Sequence, residues 1–346
     1  MQRRDIVVIG ASAGGLPALI EVVRELPQDF PGAIFVVVHT PQRESKLPAI
    51  LSRSGLLPAT HARHRELIVP GRIYVAPPDF HLIVRPDAIE LSHGPRENHF
   101  RPAVDPLFRT AARAYGPRVV GVVLSGALND GAAGLMAIKA HGGAAIVQDP
   151  QDAINESMPR TALQLVDADS VLPARGIANK LVDLASQRLS SKGVIHVEND
   201  LEHASKTISD DFEEQISNQR NDELTPLTCP DCGGTLWQTE DNPILTFQCH
   251  VGHRYVDDSL LNLKSDEVES ALWAAMRLLK ERATLTRQVA ERLRTSGEAN
   301  RASRIEEQAT LDDGHVRALR ELIEINVDPI SALILESQST TADSSQ

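Results

Sequence analysis

Ser12 lies in the run Gly10-Ala11-Ser12-Ala13-Gly14, with Gly15 next. A serine framed by small residues in the pattern GxSxG fits a tight strand-to-helix turn that pushes a nucleophilic hydroxyl outward. A helix N-terminus behind such a turn offers free N–H groups and a partial positive charge to a developing oxyanion, with Ala13 the first donor. The same glycines suit a dinucleotide poorly. Gly10, Gly14 and Gly15 do not make GxGxxG, and a serine stands where a second glycine should admit a pyrophosphate. The plainer alternative is a glycine-rich loop with Ser12 as a helix N-cap.

Two more polar residues complete a chemistry. His39 follows the apolar run Ala33-Ile34-Phe35-Val36-Val37-Val38, and Asp130 lies in the loop after Val119 to Gly126. Serine is a weak nucleophile until a histidine takes its proton. A carboxylate fixes the histidine tautomer and stabilises the imidazolium. Together they would perform acyl transfer. Taken singly, His39 reads equally as a strand-end residue and Asp130 as a helix cap. The chain order Ser, His, Asp also disfavours the α/β-hydrolase fold, whose order is Ser, Asp or Glu, His.

A second constellation is metal-binding. All 3 cysteines of the chain, Cys229, Cys232 and Cys249, fall in one short region, and His253 follows. A CxxC knuckle, a spacer and Cys-x3-His is a zinc-ribbon layout. Four protein ligands leave no open position for water, so the role is structural. His250 is the runner-up fourth ligand.

The elements that must position these residues are legible from periodicity. Ile6 to Gly10, Ala33 to Val38, Ile73 to Ala76, Val119 to Leu124 and Ala144 to Val147 are near-continuous apolar runs, suited to a parallel sheet covered on both faces. Helical patterns alternate with them: Leu16 to Arg24, Leu47 to Ser54, Pro102 to Tyr115, Ala132 to His141, Met158 to Val166 and Ile177 to Gln187. His81 to Val84 and Ala88 to Leu91 read as an antiparallel hairpin. The result is a doubly wound, mostly parallel α/β domain, in which strand C-terminal ends share one edge and bring Ser12, His39 and Asp130 together.

The expected layout is that domain over residues 1–188, an acidic linker over 189–225, a zinc-ribbon-like module over 226–262, a helical hairpin over 263–330 and a disordered tail over 331–346. Val268, Ala271, Leu272, Ala275, Leu278 and Leu279 mark the apolar face of the first hairpin helix, and Gly297 breaks it from the second. The formal net charge of −12 argues against nucleic acid or an anionic membrane as partner. No stretch approaches the roughly 18–20 apolar residues of a membrane span. The first strand begins almost at once, leaving no room for a signal peptide, so a cytoplasmic protein is expected.

Residues 6–187 resemble the catalytic domain of the CheB-type protein-glutamate methylesterases of bacterial chemotaxis. The resemblance is carried by IGASAGG around Ser12, VVHTP around His39, Gly94-Pro95 through His99-Phe100-Arg101-Pro102-Ala103-Val104-Asp105, and GVVLSG with Asn129-Asp130-Gly131-Ala132-Ala133-Gly134. It implies Ser12 as nucleophile, His39 as base and Asp130 as its orienting acid, with no catalytic cofactor. It implies a methylated helical chemoreceptor-like signalling protein as substrate, giving glutamate and methanol, and glutamine deamidation as a second activity. The family's best-known members carry a phosphorylatable receiver domain before the esterase. This chain opens on the esterase strand, so aspartyl-phosphate control within the chain is not expected. Ala127 stands where the familiar pattern has methionine and Ala13 where it has threonine. The C-terminal module resembles an appendage of some members, which docks a regulatory partner or replaces the receiver. The alternative is a catalytically silent esterase-fold scaffold acting as an interaction module. A complete Ser12, His39, Asp130 set counts against it.

Overall fold

The structure is a computed structural model and describes residues 3–39, 45–187, 189, 223–241 and 244–326. Nearly all of the expected acidic linker, the whole tail after 330, and Thr40 and Pro41 lie outside the described residues. The chain divides into two units, Met1–Leu260 and Leu261–Gln346.

The first unit is built on a seven-stranded sheet in the order β3-β4-β2-β1-β7-β8-β9. Its strands are β1 (Ile6–Ala11), β2 (Ala33–Val38), β3 (Ala59–His61), β4 (Ile73–Val75), β7 (Val119–Val123), β8 (Ala144–Gln148) and β9 (Ser170–Leu172). Every pairing among them is parallel. β5 (His81–Arg85) and β6 (Ala88–Ser92) form the separate antiparallel hairpin. The edge strand β3 was not expected. It is three residues long and half-polar, too short to show a period.

Apolar residues alternate between the two faces of β1, as a period of two requires. Val7 and Ile9 join one core with Leu19, Val22, Leu51, Ile177 and Leu181. Ile6 and Val8 join the other with Phe35, Tyr74, Leu107, Phe108 and Leu135. Helices α1 (Gly15–Arg24), α2 (Leu47–Ser54) and α6 (Ala174–Ser186) supply the first layer. Helices α3 (Val104–Tyr115), α4 (Ala132–Ala140) and α5 (Ser157–Leu165) supply the second. Strand order reverses at β1, which has β2 on one side and β7 on the other. Open α/β sheets place their sites outside the strand ends at such a switch.

The same unit contains a four-stranded antiparallel sheet, β10 (Glu223–Thr228), β11 (Thr235–Asp241), β12 (Ile244–Cys249) and β13 (Arg254–Val256). β10 therefore starts before the expected module boundary at 226.

The second unit is a helical hairpin made by α7 (Asp257–Thr295, whose first turn belongs to the first unit) and α8 (Ala299–Asn326). Gly297, at φ 84°, makes the turn between them. The expected apolar face is only partly the buried one: Leu272, Ala275 and Leu279 are half-buried, whereas Val268 and Leu278 are about half exposed. Met276, Ala283 and Ala290 on α7, and Ala302, Ala309, Val316 and Ile323 on α8, are buried instead. Seven-residue spacing of mostly small side chains makes a narrow coiled-coil seam, which the denser leucine pattern beside it obscures. Asp312 is fully buried in this seam and held by Arg282 through bonds of 2.8 and 2.6 Å.

Candidate active site

Ser12 follows the last residue of β1. Its backbone is tied on both sides, with Ser12 N donating to Ser125 O at 3.0 Å and Gly15 N donating to Ser12 O at 2.9 Å. Ser12 is not the N-cap of α1. Gly14 is, at φ 73°, a left-handed conformation that glycine adopts without steric cost. Ala13 lies between them in the turn. Gly10 is inside β1, where an added Cβ would meet a Val104 methyl at 2.3 Å.

Gly15 has no room for a side chain. A Cβ there would fall 2.6 Å from the carbonyl oxygen of Ser125 and 2.6 Å from Ala11 Cβ. That carbonyl already receives the Ser12 amide, so it cannot retreat freely. Gly15→Ala should cost about 1–3 kcal/mol of stability, read as a lowered urea midpoint, and should displace the Ser12 turn.

β2 ends one residue before His39, whose N–H donates to Ala11 O at 3.1 Å. Its ring spans the other two polar residues. Nδ1 stands 3.1 Å from Ser12 Oγ, and Nε2 stands 2.7 Å from Asp130 Oδ2. The His39 side chain is 4% exposed and that of Asp130 is 0% exposed. The Phe100 ring lies flat on the imidazole, 3.6 Å between centroids and 9° between planes. With Asp130 ionised, Nε2 carries the proton and Nδ1 accepts from the Ser12 hydroxyl. All three expected residues are thus brought together on one sheet edge.

Asp130 does not cap the helix that follows it, since Gly131 occupies that position at φ 100°. It serves the start of α3 instead. Asp130 Oδ2 accepts from Val104 N at 2.6 Å and Oδ1 from Asp105 N at 3.1 Å. Asp105, in the first turn of α3, returns the arrangement: its Oδ1 accepts from Gly131 N at 3.0 Å and Gly134 N at 2.6 Å. Two helix starts therefore each have free amides accepted by a carboxyl group from beside the other. Asn98 joins the pair, donating through Nδ2 to Asp105 Oδ2 at 3.2 Å and Asp130 Oδ1 at 3.3 Å.

The two carboxyls divide the charge. Burial opposes ionisation of Asp130, but the hydrogen bond and charge of His39 and the two amides outweigh it, and its pKa is lowered. Burial pushes Asp105 up to about 8, helped by the neighbouring negative Asp130. An acid with a raised folded-state pKa stabilises the fold below its unfolded value, and that contribution is lost as pH rises through the folded value. Wild type should therefore lose urea resistance progressively from about pH 5 to about pH 8 and level off above it, and Asp105→Asn should flatten that slope. Equal slopes in the two proteins would show that Asp105 is already ionised at pH 7.

Asp105, Asn98 and Phe100 were not singled out from sequence as site residues. A signal existed for Asp105, an acid buried at the start of an apolar helix face. Asn98 and Phe100 lie in the stretch that carries the family resemblance, but their roles depend on contacts across the fold.

The metal-type residues also converge. The donor atoms of Cys229, Cys232, Cys249 and His253 all lie within 4.8 Å of one another. Cys232 and Cys249 sulfurs are 3.7 Å apart, and His253 Nδ1 is 3.6 Å from Cys229 Sγ and 3.5 Å from Cys249 Sγ. A tetrahedron with metal–sulfur bonds of about 2.3 Å has edges of about 3.8 Å, so the four donors have room for one ion. Gly233 N donates to Cys229 O and Gly252 N to Cys249 O, closing the two knuckles. His250 stands outside the cluster beside Trp237, with ring centroids 6.2 Å apart.

Comparison with known proteins places the first domain. The family model for CheB methylesterase matches residues 7–181. A protein-glutamate methylesterase/protein-glutamine glutaminase of Anaeromyxobacter dehalogenans is 42% identical over 183 residues, which are 53% of this chain and 54% of that one. A Leptospira interrogans relative bearing the same two activity names is 38% identical over 190 residues, 54% of this chain and 98% of that one. The crystal structure of the Thermotoga maritima CheB methylesterase catalytic domain superposes with a TM-score of 0.51 at 34% identity, covering 53% of this chain and 99% of that one. With Ser12, His39 and Asp130 gathered at the switch point of a parallel sheet and the family model matching residues 7–181, half of the 346 residues, this chain belongs to the CheB methylesterase family.

Proposed function

We propose that this chain is a serine hydrolase that removes methyl groups from glutamate γ-esters on helical, chemoreceptor-like signalling proteins, giving glutamate and methanol. The observation that carries the reading is the hydrogen-bonded line Ser12, His39, Asp130 at the sheet edge. In the first step, His39 Nδ1 takes the Ser12 proton as Oγ attacks the ester carbonyl. Asp130 holds the opposite ring nitrogen and stabilises the imidazolium. The Ala13 amide and the start of α1 face the developing oxyanion. Methanol leaves with the proton from His39. Water, deprotonated by His39, then cleaves the acyl-serine and restores the enzyme. The same cycle on a glutamine side chain releases ammonia. Quenching a turnover of methylated receptor fragment and mapping peptides should place a γ-glutamyl adduct at Ser12. An adduct elsewhere would remove Ser12 from the chemistry.

The C-terminal appendage supplies no catalytic cofactor in this reading. Cys229, Cys232, Cys249 and His253 would hold one structural zinc ion, a donor set with no position left for substrate. Purified protein should carry about one zinc per chain, and Cys229→Ser with Cys232→Ser should lose it. Metal-free native protein would contradict the assignment. No helix among the described residues is long and apolar enough to cross a membrane. A cytoplasmic enzyme acting on the cytoplasmic helices of a receptor fits this reading.

A further inference from the structure

The loop between residues 96 and 100 touches two of the three proposed catalytic residues from one side and the metal-knuckle sheet from the other. It is closed on itself, with Glu97 N donating to Phe100 O at 3.2 Å and Phe100 N to Glu97 O at 2.9 Å. Asn98 and His99 at its tip have φ of 50° and 71°. Side chains other than glycine rarely adopt that region, and asparagine tolerates it best. Inward, Phe100 covers the face of His39, and the Asn98 amide donates to Asp130 and Asp105.

Outward, the loop pairs with β13, which starts at the residue after His253. Arg254 N donates to Arg96 O at 3.3 Å, and Asn98 N donates to Arg254 O at 2.8 Å. Val256 N donates to Asn98 Oδ1 at 3.2 Å. Asp231, between Cys229 and Cys232, faces Arg96 at 3.4 Å and His99 at 3.1 Å. A second tie runs from Ser259 Oγ to Asn129 Oδ1, one residue before Asp130.

Asn98 is 3% exposed, so water cannot replace a missing partner. Its amide has one oxygen and one NH2 group, and both are committed. Holding the oxygen on Val256 N turns the NH2 toward Asp130 Oδ1 and Asp105 Oδ2. The reverse orientation would set a carbonyl oxygen against the Asp130 carboxylate and the NH2 against the Val256 N–H. The β13 amide thus determines which way Asn98 points, and Asn98 supplies one of the donors that fix Asp130.

We propose that Asn98 is a positioning residue for Asp130, and that the metal-holding sheet sets its orientation through β13. The proposal rests on the reading of Ser12, His39 and Asp130 as the catalytic set. It makes metal occupancy at Cys229, Cys232, Cys249 and His253 a determinant of Ser12 reactivity. Metal loss frees β13, the Asn98 amide loses its acceptor bond, and Asp130 loses a donor.

The test uses the full chain and a fluorophosphonate, which phosphonylates an activated serine with loss of fluoride. Rates are compared for wild type, Asn98→Ala, Val256→Pro, the Cys229→Ser with Cys232→Ser pair, and Asn98→Ala combined with that pair. Val256→Pro deletes the N–H held by Asn98 and leaves all four metal donors in place. Asn98→Ala should lower the maximal inactivation rate about 10- to 100-fold, with the half-saturating probe concentration unchanged. Val256→Pro and the cysteine pair should slow it in the same direction. The combined variant should be no slower than Asn98→Ala, as expected for residues acting along one path. Hydrogen exchange at the Val104 and Asp105 amides, both bonded to Asp130, should quicken in each variant. Wild-type labelling rates in Asn98→Ala, or in both ribbon variants, would overturn the proposal, as would additive losses in the combined variant. A wild type that labels at a residue other than Ser12 would overturn the catalytic reading itself, and this inference with it.

Discussion

Ser12→Ala should bring ester hydrolysis down about 10⁴- to 10⁶-fold in kcat while leaving the melting temperature within a few degrees of wild type. Among the described residues the hydroxyl bonds to His39 Nδ1 alone, at 3.1 Å. The turn itself is held by backbone bonds, Ser12 N to Ser125 O and Gly15 N to Ser12 O, which alanine keeps. Chemistry and fold therefore separate at this position. What remains in the variant is substrate binding and whatever oxyanion stabilisation the α1 turn provides, typically about 10³- to 10⁴-fold over water. Turnover near wild type would require a different nucleophile. Methanol release and a thermal melt on the same preparation read both halves of the expectation.

Asp130→Asn is the second large effect. It should lower kcat about 10⁴-fold, through the tautomer rather than through lost geometry. An asparagine that turns its NH2 toward His39 Nε2 donates a hydrogen bond to that nitrogen, so the single proton of the neutral ring sits on Nδ1. That nitrogen then points an N–H at the Ser12 hydroxyl and cannot accept from it. The alternative amide orientation keeps an oxygen on His39 Nε2 and Val104 N, at 2.7 and 2.6 Å, but sets its NH2 against the Asp105 N–H and the Asn98 NH2. Those two buried donors then lose their acceptor, which disfavours it. Unlike Ser12→Ala, this variant should also be less stable, by about 1–3 kcal/mol for the buried donor left unpaired. Because the native carboxyl is held below its ordinary range, the stability it contributes is present above the unfolded pKa and lost as acid is added. The wild-type advantage over Asp130→Asn should accordingly shrink toward low pH. A variant with normal kcat would remove Asp130 from the catalytic set.

Much of the fold was legible because its signals are local. The runs around Val8, Val36 and Val122 are too apolar for a strand open on one face, and they became the three central strands. Ser12, His39 and Asp130 could be grouped because parallel strands present their C-terminal ends on one edge, whatever the spacing along the chain. The metal cluster was legible for a different reason: three sulfurs in one short stretch have a chemistry that spacing nearly specifies.

What escaped depends on contacts that no periodicity records. The exchange of carboxylates between the starts of α3 and α4 joins Asp105 and Asp130 across 25 positions. The hold of β13 on Asn98 spans 158. Leu128, at φ 64°, takes a left-handed conformation unusual for a branched side chain in the loop that leads to Asp130, and nothing in its type announces it. The hairpin seam failed in the opposite way. Leucines suggested one face of α7, whereas small residues seven apart were buried, because close helix approach favours Ala283, Ala290, Ala302 and Ala309.

The most direct test of the account is methanol release from a methylated chemoreceptor helix incubated with the full-length wild-type chain. The account predicts one methanol for each γ-glutamyl ester converted to glutamate, with no added metal or cofactor in the assay beyond what the purified protein carries. A chain whose Ser12 reacts with a fluorophosphonate but which releases no methanol from any methylated receptor helix would contradict it. That outcome would leave an activated serine assigned to the wrong ester.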